Sequence, residues 1–199
     1  GSDANITFWD PKDGAFLDSW EVGRGDIDAV DYSPDSSMLA AGADGVWTLW
    51  TVDGEKQSEH PGHVDAVMSL KFSPDGRHVV TAGWDHSVRL GTPDGEPLFN
   101  LQGHTAPAYH LAWNPNSKQV ASCGRDGAVH VWNVESGKPD WFALYLQDSE
   151  MVTFNSAGQV IDGDPQAIEQ GLRYIVEGPD GGMEIIGYGE FLKRVGAGE

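Results

Sequence analysis

Ser122, His104 and Asp126 are the residue types of a hydrolytic triad, and they fall in one short stretch of the chain. Ser122 precedes Asp126 by four residues in VASCGRDGAVHVWN, and His104 lies upstream in LQGHTAP. In a triad the serine attacks an acyl carbon, the histidine takes its proton and the aspartate holds the imidazole. A second hydrolytic route would use Asp162 and Asp164 in IDGDP as carboxylates around a water-activating metal. No HExxH, paired CxxC, P-loop or GxSxG accompanies either set. IDGDP reads more simply as a turn followed by a helix cap. The same kinds of residue also recur at His63, Thr81 and Asp85, 41 residues earlier. An active site has no reason to be periodic. The expectation is therefore internal bracing, with no catalytic residue, metal or cofactor.

The elements that must hold these side chains follow the same interval. Asp3, Asp44, Asp85 and Asp126 are each 41 residues apart. Trp9, Trp50 and Trp132 keep that spacing, and Gly91 stands where the fourth tryptophan is due. A second series marks reversals: YSPDS at 32–36, FSPDG at 72–76, WNPNS at 113–117 and FNSAG at 154–158. Pro followed by Asp or Asn suits a tight turn between strands. Short apolar runs separate the markers, as in AVMSLKF, HVVTAG, SVRL and PLFNL of one unit. Four short strands repeated about every 40 residues describe a propeller blade. One such sheet cannot bury both faces alone, so neighbouring blades must stack.

The pattern resembles the WD-repeat β-propeller family. The family places Gly-His before the first strand, then Ser or Thr, a turn Asp, and a Trp closing the third strand. Gly103-His104, Ser122, Asp126 and Trp132 match throughout. Gly62-His63, Thr81 and Asp85 match one unit earlier, where Gly91 replaces the Trp. In the unit before that, Asp44 and Trp50 remain, Ala40 replaces Ser, and no His precedes the first strand. The resemblance implies that His, Ser, Asp and Trp form a buried hydrogen-bonded chain within a blade. Such partners are needed, since a buried imidazole or carboxylate left alone is costly.

The expected fold is thus all-β, a WD-type β-propeller with about four and a half four-stranded blades and an incomplete ring. Residues 3–25 supply two outer strands of a first blade, 26–148 three blades, and 149–199 a degenerate last blade with a short helix. Asp164 as N-cap and Pro165 at the first helical position mark that helix. LRYIVEG and MEIIGYGEFLKRV read as two strands around a PDGG turn. This tail resembles the closing segment of bacterial WD-repeat proteins. A half-blade exposes an unpaired strand edge. Three arrangements would cover it: a further segment of a larger propeller, which is favoured, a second copy, or residues MVTFNS and QVID.

Composition narrows the partners. The formal charge is −19, which repels phosphate backbones and anionic lipid, so neither nucleic acid nor membrane is expected. A protein or peptide of basic character is the better match. One cysteine, Cys123, excludes an intrachain disulfide and favours a reducing, cytoplasmic setting.

WD-repeat domains act as rigid platforms for proteins and peptides, and the resemblance implies that role here. Family contacts come from the start of each inner strand and the residue before the turn Asp. Carried over, these are Asp26, Asp28 and Ala43, then Ala66, Met68 and Trp84, then Pro107, Tyr109 and Arg125. The expectation is a non-enzymatic sensing or docking arm of a larger bacterial signalling or defence protein. A hydrolase using Ser122 and His104 or a metal–carboxylate site is the alternative from another class. A purely architectural module is the third.

Overall fold

The structure is a computed structural model that describes residues 4–22, 25–146, 151–164, 168, 173–177, 183–187, 190 and 193. It divides into two compact units, residues 1–140 and 141–199.

The first unit is built of antiparallel sheets taken in chain order. β1 (Asn5–Trp9) pairs with β2 (Phe16–Glu21) as a half-blade. The first blade is β3 (Ile27–Tyr32), β4 (Met38–Ala43), β5 (Val46–Thr51) and β6 (Lys56–Pro61). The second is β7 (Val67–Phe72), β8 (Val79–Gly83), β9 (Val88–Gly91) and β10 (Pro97–Leu101). The third places β11 (Ala108–Trp113), β12 (Gln119–Gly124) and β13 (Ala128–Asn133) side by side. The SPD turns fix the β3–β4 and β7–β8 reversals: Ser33 and Ser73 hydroxyls donate at 2.6 Å to Asp35 and Asp75 two residues on.

Alternating apolar residues bury themselves between adjacent blades. Trp47 and Leu49 of β5 meet Val67, Leu70 and Phe72 of β7. Val80, Val88 and Leu90 meet Val120 and Trp132. Trp50 packs with Ile6 and Trp20 of the half-blade. Burying each such side chain contributes about 1.5–3 kcal/mol. Polar stitches join the same blades. Asp31 accepts the Phe72 N–H at 2.9 Å and the Lys71 ammonium at 2.8 Å, while the Trp113 indole donates to the Lys71 carbonyl at 3.2 Å.

One hairpin departs from the 41-residue interval. In the second blade four residues separate β8 from β9, and in the third blade three separate β12 from β13, with His86 (φ 68°) or Gly127 (φ 72°) in the left-handed region. The β4–β5 turn has two residues, Asp44 (φ 44°) and Gly45 (φ 75°), the double positive-φ pattern of a type I′ hairpin. The register slips by one: Ala41 pairs with Thr48, whereas Thr81 pairs with Arg89 and Ser122 with His130. A slip of one residue exchanges the two faces of a strand. Ala41, not Ala40, therefore sits on the Trp50 face in the place of Thr81 and Ser122, and Ala40 faces the second blade. This corrects the sequence alignment, which put Ala40 there.

In the second unit β14 (Pro139–Tyr145), which begins at its boundary, pairs with β15 (Met151–Asn155), and β15 with β16 (Val160–Asp162). MVTFN thus extends the sheet of the strand before it. β17 (Arg173–Glu177) and β18 (Met183–Gly187) form an antiparallel pair, as the sequence predicts for the tail. Their PDGG connection lies outside the described residues. Phe142 stacks on Phe154 at 4.7 Å in a small core with Val152 and Ile168. Ile168 is helical, and its N–H donates to the Asp164 carbonyl at 2.9 Å, the bond made by a residue that caps a helix. Pro165 lies outside the described residues. Among the described residues, no helix is long and apolar enough to cross a membrane.

Candidate functional site

The residues that resemble a triad meet in the third blade as a directional chain. The Trp132 indole donates to Ser122 Oγ at 2.9 Å, and Ser122 Oγ lies 2.8 Å from His104 Nε2. His104 Nδ1 lies 2.9 Å from Asp126 Oδ2. An ionised carboxylate only accepts, so Nδ1 carries the imidazole proton and the serine hydroxyl donates to Nε2. Asp126 also accepts the N–H groups of Thr105 at 2.9 Å and Ala128 at 3.0 Å. The chain ties the strand-linking segment before β11 to β12, the β12–β13 turn and β13.

The second blade repeats all but one link. His63 Nδ1 is 2.8 Å from Asp85 Oδ1, and His63 Nε2 is 2.8 Å from Thr81 Oγ. Asp85 accepts the Ser87 hydroxyl at 2.6 Å and the Val64 N–H at 3.0 Å. In the first blade no imidazole occupies this place, and the Asp44 carboxylate lies against Gly25. There Trp50 donates instead to Thr48 Oγ at 2.9 Å.

The electrostatics follow the bonding. Burial pushes the Asp126 carboxyl up, but the Thr105 and Ala128 N–H groups and His104 outweigh it and hold it below the usual carboxylate range. Asp85 is likewise raised by burial but brought well below that range by Ser87, His63 and the Val64 N–H. Burial lowers His63 against the opposing pull of Asp85. His130, packed edge-on to His104 at 4.6 Å and stacked on Trp132 at 5.0 Å, is lowered to about 4 by burial and by His104.

This arrangement is poor for hydrolysis. Ser122 is 1% exposed, with the Trp132 N–H on its oxygen, so an acyl group reaches it only if the sheet unpacks. His104, Asp126 and His130 offer donor atoms within 4.8 Å of one another. A cation there would displace His104 from Ser122 or Asp126 and break the strut. Asp162 and Asp164 join no such donor group among the described residues. Cys123 is half-buried in β12.

The other predicted residues gather where β3, β7 and β11 begin. Asp28, Met68 and Tyr109 each fall where the register of the inner strand shifts, at the extra residue of a β-bulge. A bulge turns a side chain away from the pleat. Trp84 and Arg125 occupy equivalent turn positions, their N–H groups bonded at 2.9 Å to the carbonyls of Ala66 and Pro107. Trp84 is 41% exposed, and its ring lies 5.9 Å from that of Tyr109, tilted by 54°. Asp26, Asp28 and Arg125 are exposed, Met68 is half-buried and Pro107 is buried. No hydrogen bond, ion pair or ring contact among the described residues joins Asp26 or Asp28 to the aromatic pair. Ala43 does not occupy the equivalent position. The two-residue turn leaves it in β4 at the place of Gly83 and Gly124, so the first blade has no residue matching Trp84.

Four-stranded blades with periodic His–Asp struts and bulged inner strands define a propeller of the WD type. The chain belongs to the family described as WD domain, G-beta repeat: residues 17–51, 54–90 and 95–133 match its model and together exceed half the chain. Each match runs from the outer strand of one blade to the third strand of the next. That offset is why His63 and His104 stand at the joints. Among curated proteins, "Transcription initiation factor TFIID subunit 5" of Caenorhabditis elegans is 34% identical over 59 residues. The match covers 29% of this chain and 9% of that protein's length.

Domains of this family are typically non-enzymatic modules that bind other proteins or peptides.

Proposed function

We propose that this chain is a non-enzymatic docking platform whose partner seats on the face where β3, β7 and β11 begin. The observation that carries the reading is the Trp84–Tyr109 pair: Trp84 is exposed on a turn tied to the Ala66 carbonyl, and Tyr109 is half-buried at a bulge. Rigid aromatics beside an arginine, here Arg125, are the usual anchors of protein interfaces. Met68, Asp26 and Asp28 complete the face, and the buried Pro107 supports its turn through the carbonyl that accepts the Arg125 N–H. The charge of −19 favours a basic partner, with Asp26 and Asp28 receiving its Lys or Arg. His104, Ser122, Asp126 and Trp132, with His63, Thr81 and Asp85, serve as struts that keep this face in place.

The finer setting is a docking arm within a larger bacterial signalling or defence protein, in the cytoplasm. Its support is the tail's resemblance to bacterial WD-repeat proteins and the single cysteine. A peptide library spanning basic and neutral sequences tests the platform. Wild type should retain a subset that a folded Trp84→Ala/Tyr109→Ala variant releases; equal retention by both removes the assignment.

A further inference from the structure

The second blade lacks the indole that its neighbours carry. Gly91 of β9 pairs with Val79 as Trp132 pairs with Val120. In the third blade the Trp132 ring fills the space beside Gly103: a Cβ built there would meet Trp132 Cη2 at 2.8 Å. One period earlier, Gly62 has room, and the nearest atom to its Cβ position is Trp47 Cδ1 at 3.6 Å. Gly62, Val79, Thr81, Arg89 and Gly91 line a cavity of about 190 Å³ at this place. Trp47 walls it, and Leu98 and Phe99, 38% and 36% exposed, also line it.

Its polar groups suit a ring with a donor. Thr81 stands in the place of Ser122, and its hydroxyl serves His63 Nε2. A hydroxyl oxygen can accept while its proton is donated, as Ser122 Oγ accepts the Trp132 N–H. Among the described residues, no donor reaches Thr81 Oγ. Arg89 stands in the place of His130, the ring that stacks on Trp132 at 5.0 Å. A guanidinium is attracted to an aromatic face. Arg89 is held there by Ser87 Oγ at 3.2 Å and Asp85 Oδ2 at 3.5 Å. Apolar cavities of about 150 Å³ take up benzene, so this one has space for a larger ring.

We propose that this cavity binds a planar aromatic ring bearing an N–H donor, of the indole class, in the position the third blade fills with Trp132. The ring's N–H donates to Thr81 Oγ and its face lies against Arg89. The site is separate from the Trp84–Tyr109 face and does not depend on it.

Restoring the tryptophan is not a clean test, because a Cβ on Gly91 would meet the Glu96 carbonyl at 2.8 Å. Titration of the intact chain with indole, followed by calorimetry and by NMR shifts of the Trp47 and Arg89 signals, tests the site directly. Indole should bind saturably and benzofuran, the same shape without the N–H, about tenfold more weakly. Gly62→Leu, whose Cβ fits and whose side chain enters the cavity, should abolish binding while the circular dichroism spectrum is kept. N-Acetyltryptophanamide separates the sources: binding it too assigns a tryptophan side chain, and refusing it assigns a free heterocycle. Absence of saturable binding by both indole probes, or equal binding of benzofuran, overturns the proposal. The benzofuran comparison needs no variant, so a misfolded Gly62→Leu does not shield it.

Discussion

The Trp132 indole N–H donates to Ser122 Oγ at 2.9 Å. The serine thus accepts from Trp132 while its hydroxyl donates to His104 Nε2, so both partners of this buried oxygen lie within the blade. Replacing Trp132 by Phe keeps most of the ring but removes the donor, and should cost about 0.5–1.5 kcal/mol. Trp132→Ala also opens a cavity between the second and third blades and should cost about 3–5 kcal/mol. Urea denaturation midpoints of the two variants should fall in that order; equal midpoints would mean the ring's volume counts for nothing.

Asp126→Ala removes the acceptor for His104 Nδ1–H and for two backbone N–H groups at once. The expected loss is about 1–3 kcal/mol or more, because the donors stay buried without partners. An unchanged denaturation midpoint would count against the strut.

Acid should weaken the fold in two steps. His130 falls from 6.5 to about 4 in the folded chain. A depressed folded value means its contribution is whole above pH 6.5 and disappears as pH falls toward 4, on the order of 2 kcal/mol. Asp85 and Asp126 are also depressed, from 3.8, so their contribution is present above that pH and is lost below it. Stability measured by urea from pH 8 to 3 should therefore decline first below 6.5, and His130→Asn should reduce that first slope, to which the lowered His63 also contributes.

The two-residue turn of the first blade requires Gly45, at φ 75° and packed against the His63 carbonyl. Gly45→Ala should destabilise by about 1 kcal/mol or more through strain and the close backbone approach. A thermal midpoint equal to wild type would show that the hairpin has adopted the longer turn.

Trp84→Ala/Tyr109→Ala should leave the denaturation midpoint near wild type, since Trp84 is exposed, yet reduce peptide binding more than tenfold. A parallel loss of stability would assign the pair to packing between the second and third blades.

The resemblance to WD-repeat proteins implied the pairing of His63 with Asp85 and of His104 with Asp126, while the sequence by itself determined the class of fold and the number of strands per unit. These follow from local periodicity: turn residues and alternating apolar runs repeat at one interval, and each periodic side chain has the same surroundings. It could not determine that the β4–β5 turn is a residue shorter, which moves Ala41 into the serine's place and sets Ala43 at the place of Gly83 rather than of Trp84. Turn length is set by backbone dihedrals, and Asp-Gly is compatible with both hairpins seen here. Nor did the missing tryptophan at Gly91 reveal whether the gap closes. Only the meeting of Trp47 and Gly62 of the first blade and its edge with β8, β9 and β10 of the second left a cavity there, because that depends on how two blades meet rather than on either one alone.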